Sequence, residues 1–440
     1  ILAAGQGTRM KSRTPKVLHR LAGKAMVDYV VEAAGQAGAS RLAVVIGHQA
    51  DLLRSHFEGR DVVLIEQQPQ LGSGHALQQA LPLIRQQDGE VMVLNGDAPL
   101  LQPEALLALL QRHRARHPQA TLLTAEVPNP ERLGRVVRHG GRVRVVEWAD
   151  ASEDQRLIDE VNAGIYCFDA VWLAAELPAL SLSPKGEYYV TQLVERAERV
   201  ETLQVASLEA CVGVDTRAKL AEAERAIQDR LRQQWMAEGV TMIDPASVFL
   251  DAQTRLGADT VVYPNTWVEA SEIGEGCSLG PGSILRSARV GDRCAILYSV
   301  IESSVVEDDV QVGPFSHLRP GSHIHRAAKL GNYVEIKNST VGEGTHIHHF
   351  SYTGDAEVGR RVNVGAGSIT CNFSSETREH YRTVIEDDAS LGSDTMLVAP
   401  VVVGAGAMTG TAAVVTHDVP PAKLVKGIPA RIARDVRKGE

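Results

Sequence analysis

Two hydrophobic rhythms divide this chain of 440 residues. In the first half, short aliphatic runs alternate with stretches of helical period. Arg41 to Gly47 (RLAVVIG), Val62 to Glu66 (VVLIE) and Val91 to Leu94 (VMVL) read as strands. Met26 to Gln36, His75 to Ile84 and Pro103 to Arg114 carry apolar residues at helical spacing between them. This alternation predicts an α/β, Rossmann-like domain with a parallel sheet covered by helices. Arg135 to Trp148 reads as a hairpin turned at Gly140-Gly141. Thr216 to Glu238, rich in Ala, Glu, Arg, Leu and Gln and free of Gly and Pro, reads as one long connecting helix.

From about Ser247 the step changes to six. Val306, Val312, Leu318, Ile324, Leu330 and Ile336 keep it, Val341 and Ile347 resume it after a slip, and Val358 and Val364 follow. Ile385, Leu391, Leu397 and Val403 continue the beat, with glycine after many of these residues. A sustained six-residue repeat predicts a β-helix: each side of a prism is one short strand, and stacked coils bury the aliphatic column. Cys371 to Thr383 breaks the beat and reads as a loop thrown off the prism, where function tends to gather. The boundaries that follow are 1–215 for the first domain, 216–238 for the helix and 239–440 for the second domain.

Composition sharpens this outline. A formal charge of −9 argues against nucleic acid and anionic membrane surfaces as partners. The scarcity of aromatics, 4%, beside 39 glycines fits a turn-rich architecture with an aliphatic core. Cys167, Cys211, Cys277, Cys294 and Cys371 form no CxxC pair and read as reduced, mostly buried thiols, which predicts a cytoplasmic protein. No apolar run approaches a membrane span, and no signal peptide is legible. The chain opens inside an expected strand, which predicts native residues ahead of Ile1.

Candidate chemistry starts in LAAGQGTRMKSRTPKVL, Leu2 to Leu18. Gly5 and Gly7 allow a tight turn close to a ligand, and Thr8, Arg9 and Lys16 add a hydroxyl and two cations, a combination suited to a polyphosphate. It is neither a Walker loop nor a dinucleotide fingerprint, because the closing Gly-Lys-Ser/Thr and the third glycine are missing. Ligands on such sheets gather beyond the carboxyl ends of strands, where QQPQLGSGH (Gln67 to His75) and Asn95-Gly96-Asp97 fall. Asp97 at a strand end is a candidate for holding a divalent cation against phosphates, a reading favoured over a helix or turn cap. Glu147 and Asn162 are candidates for sugar hydroxyls or plain solvated strand ends. On the prism, Arg319, Glu335, Lys337, His349, Tyr352, Asn363, Asn372 and Ser393 are polar against the pattern. His317, His323, His325, His346, His348 and His349 all compete for an acid–base role, and composition does not choose among them. HIHH is an unfavoured metal site, since a ladder is expected to point its side chains in different directions.

LAAGQGTRM, Pro15-Lys16-Val17-Leu18, QLGSGHA and NGDAPL resemble the sugar-1-phosphate nucleotidylyltransferases. LRPG at Leu318 to Gly321, GNYVEIKNS at Gly331 to Ser339, VNVGAGSITCN at Val362 to Asn372 and LGSDTMLVAP at Leu391 to Pro400 narrow the likeness. Nearly the whole chain is similar to the bacterial bifunctional N-acetylglucosamine-1-phosphate uridylyltransferases and glucosamine-1-phosphate N-acetyltransferases. The resemblance implies a nucleotidyltransferase domain, a linker helix and a left-handed parallel β-helix of hexapeptide repeats that trimerises. It implies UDP-N-acetylglucosamine synthesis for peptidoglycan and lipopolysaccharide, with UTP and acetyl-CoA as co-substrates and Mg²⁺ as cofactor.

The same resemblance assigns roles. Arg9 and Lys16 would offset charge on the triphosphate; Asp97 and Asp215 would hold Mg²⁺; Leu2, Ala3, Ala4, Gly5, Gln67, Gly72 and Ser73 would hold the nucleotide. Gly134, Glu147 and Asn162 would hold the sugar in the uridylyltransferase site. In the second domain His349 would be the catalytic base, Arg319, Glu335, Lys337, Tyr352 and Asn363 would hold glucosamine 1-phosphate, and Ala366, Asn372, Ser393, Thr411 and Lys426 would face acetyl-CoA. Asp215 stands where the family usually has Asn, and FSSETREHY (Phe373 to Tyr381) replaces a shorter Tyr-Asp-Gly-x-x-Lys loop, with His380 standing in for a lysine. The alternative is a single-function sugar-1-phosphate nucleotidylyltransferase whose β-helix only builds a trimer.

Overall fold

Leu2 forms parallel bridges with both Val45 and Asn95, and so marks the centre of the first sheet. Its N–H donates to Leu94 O at 2.8 Å, and the Ala3 N–H donates to Val45 O at 2.8 Å. On one side Ala43–Ile46 runs parallel to Val63–Glu66. On the other, Glu90–Val93 pairs antiparallel with Glu160–Asp169, which pairs antiparallel with Ala120–Glu126. Val200–Gln204 closes this side, parallel to Ala120–Glu126. The sheet is therefore mixed, not all-parallel: the long, largely buried strand Glu160–Asp169 inserts between two strands of the opposite direction. The coordinates are a computed structural model that describes residues 1–128, 130, 133–205, 211 and 213–435.

Local sequence explains the elements. Met26–Gln36 buries Met26, Val27, Val30, Val31, Ala33 and Ala34, a stripe at helical spacing. The helix expected over His75 to Ile84 is two helices, Ser73–Gln79 and Leu81–Ile84. Pro82 lacks the N–H that a continuous helix needs and sits instead in the first turn of the second. Pro103 opens Pro103–Arg116 in the same way. Arg135–His139 and Arg142–Val146 form the hairpin, with Gly140 and Gly141 at φ +56° and +78° supplying the left-handed turn.

Contacts divide the chain into two compact units, Ile1–Ile227 and Gln228–Glu440, and the division falls inside the helix Arg217–Ala237. In the second unit, sheets of 12, 10 and 9 strands make up a left-handed parallel β-helix. Val312 pairs with Leu330, Leu330 with Ile347, and Ile347 with Val364, so every third residue of the beat stacks on one face, while Val306 with Ile324 and Leu318 with Ile336 stack on the other two, all turned into the buried core. Buried hydroxyls sit near the corners: Thr266 donates to Tyr263 O at 2.7 Å, and Ser299 to Leu297 O at 2.7 Å. The prism begins before Ser247, because Thr241–Met242 already pairs with Val261–Val262. Val364 pairs with Leu391, so one coil is lengthened by residues 372–382, which leave the prism as a small hairpin bridged at Phe373 and His380.

Candidate functional site

The first site lies beyond the carboxyl ends of the central strands. The loop after Leu2 turns at Gly7 (φ +63°) and returns against itself: a Cβ on Gly7 would stand 2.6 Å from Lys16 Cβ. That fold-back directs both cations to one place. Lys16 Nζ pairs with the Asp97 carboxylate, and an Arg9 guanidinium nitrogen lies 2.8 Å from Asp215 Oδ2. The segments that carry the two carboxylates touch: the Val214 N–H donates to Asp97 O at 2.8 Å, and a Cβ on Gly213 would meet Asp97 Oδ2 at 2.7 Å. Asp215 Oδ1 is buried without a hydrogen-bond partner, with Lys219 Nζ at 3.6 Å.

A second loop flanks this pair. Buried Gln67 donates from Nε2 to Gly72 O at 3.0 Å, and its N–H donates to Ile46 O at 2.8 Å. Gly72 has φ +94°, and a Cβ there would strike Tyr188 O at 2.6 Å. Tyr188 fastens the loop from both sides: its N–H donates to Leu71 O at 2.8 Å and its carbonyl accepts the Gly74 N–H at 2.7 Å. Ser73 Oγ accepts the Val190 N–H at 3.2 Å. Ala4 packs beside Gly47, where Gln70 also reaches. Gly5 has open space at its Cβ position. Tyr188 carries the clearest positional role that the pattern did not reveal. Nothing in the spacing around Tyr188 points to the Gln67–Ser73 loop.

Gly134, Glu147 and Asn162 come together on the same rim. The Asn162 N–H donates to Gly134 O at 2.9 Å, and a Cβ on Gly134 would lie 3.7 Å from a Glu147 carboxylate oxygen. Burial pushes the Glu147 carboxyl above its ordinary pKa; the hydroxyl of Thr191, donating to Oε1 at 3.0 Å, opposes this, while Asp150 and Glu187 add to it. Asn162 Nδ2 donates to the Tyr166 hydroxyl at 2.6 Å, and its Oδ1 accepts the Gly164 N–H at 3.0 Å.

The second constellation lies on the prism. Alternation along each short strand turns Ile336 inward and Glu335 and Lys337 outward, so polar residues of successive coils stack on one face. Glu335 is in register with Tyr352 on the 10-stranded sheet, and Arg319 donates to Glu335 Oε1 at 2.9 Å. Asn372, almost fully buried, donates to the Tyr352 hydroxyl at 3.5 Å and also to Asp355. Asp355 is the hub of this row. It also accepts from Asn338 Nδ2 at 2.7 Å, lies 2.9 Å from His380 Nδ1, and its N–H donates to Lys337 O at 3.0 Å. Burial alone would raise the Asp355 carboxyl, but its partners Asn338, Asn372 and His380 outweigh that and hold it below the usual carboxylate range.

His349 is exposed at the corner before this face. Its carbonyl accepts the Ser351 hydroxyl at 2.7 Å and the Gly367 N–H at 3.4 Å. Ala366 O accepts the Asp394 N–H at 2.6 Å, and Ser393 O accepts the Ala412 N–H at 2.8 Å, which carries the row toward Thr411. A Cβ on Gly410 would lie 3.0 Å from Lys426 Cβ. Asn363 is not with Arg319, Lys337 and Tyr352: it lies on the 12-stranded face, in register with His346 and Ser390. The HIHH run also differs from expectation. Ile347 points inward, and the His346 and His348 rings share the outer side with centroids 5.0 Å apart. Burial lowers the His348 pKa, and the neighbouring His346, His349 and Lys329 lower it further.

No described helix is long and apolar enough to cross a membrane. Residues 1–163 match the family of MobA-like NTP transferase domains. Over 432 residues the chain is 44% identical to a bifunctional protein GlmU of Heliobacterium modesticaldum, with 96% of this chain and 94% of that protein covered. A bifunctional protein GlmU of Prochlorococcus marinus is 44% identical over 432 residues, covering 97% of this chain and 96% of its own length. One from a Thermotoga species is 41% identical over 438 residues, covering 99% and 97%. Identity at this level, across nearly all of each chain, means that this chain belongs to the family of bifunctional GlmU proteins.

Proposed function

We propose that the chain makes UDP-N-acetylglucosamine in two steps: it acetylates glucosamine 1-phosphate with acetyl-CoA, then joins N-acetylglucosamine 1-phosphate to UTP with release of pyrophosphate. Residues 1–215 carry uridylyl transfer, 216–238 the linking helix and 239–440 acetyl transfer. The observation that carries this reading is the outward row Arg319, Glu335, Tyr352 and Asn372 on a β-helix face. A prism that only built a trimer would have no use for a guanidinium paired with a carboxylate and an amide paired with a phenol, stacked in one row on successive coils. This favours the bifunctional reading over the single-function alternative.

In the first site a sugar phosphate oxygen attacks the α-phosphorus in line as pyrophosphate departs, so the protein supplies orientation and charge. Arg9 and Lys16 turn from their carboxylates toward the triphosphate. The backbone of Leu2 to Gly5, with Gln67, Gly72 and Ser73, holds the nucleotide, and Gly134, Glu147 and Asn162 hold the sugar. The carboxylates of Asp97 and Asp215 would fit Mg²⁺ as hard oxygen ligands once the ammonium and guanidinium groups of Lys16, Arg9 and Lys219 that now face them turn to phosphate; Asp215 Oδ1 has no hydrogen bond to give up. Bound there, the ion neutralises phosphate charge.

In the second site His349 takes a proton from the amino group of glucosamine 1-phosphate, because an ammonium has no lone pair for attack on a thioester. The nitrogen adds to the acetyl carbonyl, the tetrahedral intermediate collapses, and the CoA thiolate leaves with a proton. Ser393 stabilises the oxyanion. Arg319, Lys337 and Tyr352 bind the sugar phosphate, with Glu335 orienting the amine, while Ala366, Asn372, Thr411 and Lys426 line the CoA path. Asn363 faces another side of the prism, which supports a homotrimer in which one copy's Asn363 completes a neighbour's site. The chain works in the cytoplasm on small molecules. Incubation with UTP, acetyl-CoA and glucosamine 1-phosphate, followed by mass spectrometry, tests the scheme. Both N-acetylglucosamine 1-phosphate and UDP-N-acetylglucosamine should form, and His349→Ala should stop both; acetylation that survives this change removes His349 as the base.

A further inference from the structure

The sequence His323-Ile324-His325 alternates about an inward residue: Ile324 is buried, and both imidazoles stand on the outer side of the 9-stranded face. One coil earlier, Val306 pairs with Ile324, which brings Glu307 beneath His325. The three side chains converge. His323 Nε2 lies 2.9 Å and His325 Nδ1 2.8 Å from the same oxygen, Glu307 Oε1, and the two rings are 4.2 Å apart between centroids. The other carboxylate oxygen accepts the Arg326 N–H at 3.1 Å, which fixes the plane of the carboxylate. Nearby cations are already engaged: Arg326 Nε donates to Asp309 at 3.1 Å, and Arg360 pairs with Asp387 at 2.9 Å. An open cleft of about 380 Å³, lined in part by Thr340, Gly342 and Glu343, adjoins the cluster.

We propose that Glu307, His323 and His325 form a surface Zn²⁺ site, separate from both transferase sites, that clips two successive coils of the prism together. Two imidazoles and a carboxylate with a fourth position open to water are a donor set suited to zinc. A tetrahedral ion with bonds of about 2.0–2.2 Å needs its donors roughly 3.4 Å apart. One ligand atom from each of the three already lies within 4.8 Å of the others, so small side-chain rotations close the site. The ring nitrogens that now face Glu307 would present lone pairs to the ion, with the ring hydrogens carried on His323 Nδ1 and His325 Nε2. The Arg326 N–H is the outer hydrogen bond that keeps the carboxylate aimed. Because the ligands come from adjacent coils, an ion bound only by the folded prism raises its stability in proportion to RT ln(1 + [Zn²⁺]/Kd).

The experiment is a Zn²⁺ titration of the untagged, full-length chain by calorimetry, in buffer with excess Mg²⁺ to occupy oxygen-only sites, with Co²⁺ substitution read by visible absorption. One Zn²⁺ per chain should bind at this site, Co²⁺ should show the intense bands of four-coordination, and the melting temperature of the prism should rise with Zn²⁺. His323→Ala should weaken this binding by more than about 100-fold and abolish the rise. His325→Ala should do the same, and either variant suffices if the other fails to fold. His348→Ala should leave the site intact. The absence of Zn²⁺ binding, or binding that survives His323→Ala and is lost in His348→Ala, would overturn the assignment in favour of a plain ion pair or of the neighbouring histidine run.

Discussion

Lys16 holds its ammonium against the carboxylate of Asp97, and neither side chain is more than one-fifth exposed. A cation and an anion so arranged keep each other in place; in the proposed reaction a triphosphate and its metal would compete for both. Asp97→Ala is expected to abolish Mg²⁺-dependent release of pyrophosphate from UTP. Acetyl transfer should continue, because the residues assigned to that reaction lie in the other compact unit. Lys16→Ala should lower uridylyl transfer by about 10²–10³-fold, the usual consequence of removing one preorganised charge from a developing phosphoryl centre. Separate assays of pyrophosphate and free CoA thiol check both; parallel loss of the two activities in Asp97→Ala would argue against independent sites.

Gly213 supports the same carboxylate from behind. A methyl group there would lie within 2.8 Å of every atom of the Asp97 carboxylate, so Gly213→Ala must push that group aside. A displacement of this kind costs about 10²-fold in turnover when the displaced group orients reactants. The variant should remain folded and should need more Mg²⁺ for half-maximal rate. A wild-type Mg²⁺ dependence in Gly213→Ala would show that the close approach has no functional weight.

Much of this molecule was legible in its sequence because two of its elements obey strict periods. Val312, Leu330, Ile347 and Val364 sit in one buried column because a six-residue step permits no other stacking. Met26–Gln36 matched its expected bounds because a single apolar stripe defines it. The antiparallel course of Glu160–Asp169 was not legible, since strand direction depends on where the chain re-enters the sheet and leaves no mark on the hydrophobic pattern. The same holds for the candidate sites. Gly7, Arg9 and Lys16 read as a candidate phosphate loop by type and spacing, whereas Asp355 gathers Asn338, Asn372 and His380 through contacts between coils that no local window contains. Glu307 and His325 meet for the same reason: a β-helix makes neighbours of residues one coil apart.

Asp355 ties the thrown-out loop to the prism, since His380 belongs to the loop and Asn338 to an earlier coil. Its carboxyl is held below the usual range, so it contributes stability above its unfolded pKa of about 3.9, and that contribution is lost as pH falls through the lower folded value. Asp355→Ala removes the acceptor of the Asn338 amide and leaves the Asn372 amide only its long bond to the Tyr352 hydroxyl, and should cost about 1–3 kcal/mol. With Asn372 loosened, the KM for acetyl-CoA should rise well ahead of any fall in kcat, because Asp355 holds Asn372, whereas the His349 backbone is held by Ser351 and Gly367. Initial-rate kinetics separate the two effects. A fall in kcat at constant KM would instead tie Asp355 to the chemical step.

Glu147 offers the opposite case. Burial raises its carboxyl pKa, with repulsion from Asp150 and Glu187 in the same direction, and the Thr191 hydroxyl only partly offsets this. A raised folded pKa means that the contribution of the group to stability is complete below its unfolded value of about 4.3 and is lost as pH rises through the folded value. Above that folded value the ionised side chain is a burden on the fold, which the proposed grip on the sugar would explain. Glu147→Gln retains an amide oxygen for Thr191 and removes the charge. The variant should melt at a higher temperature than the parent near pH 8, and this advantage should shrink as the pH is lowered toward about 5. The KM for N-acetylglucosamine 1-phosphate should rise by about tenfold, the equivalent of 1.4 kcal/mol, as one charge-assisted bond to a sugar hydroxyl is replaced by a neutral one. Thermal melts at the two pH values, with uridylyl kinetics at the higher, decide the matter: an equal melting shift at both pH values would take ionisation of Glu147 out of the account, and an unchanged KM would take the carboxylate out of the sugar site.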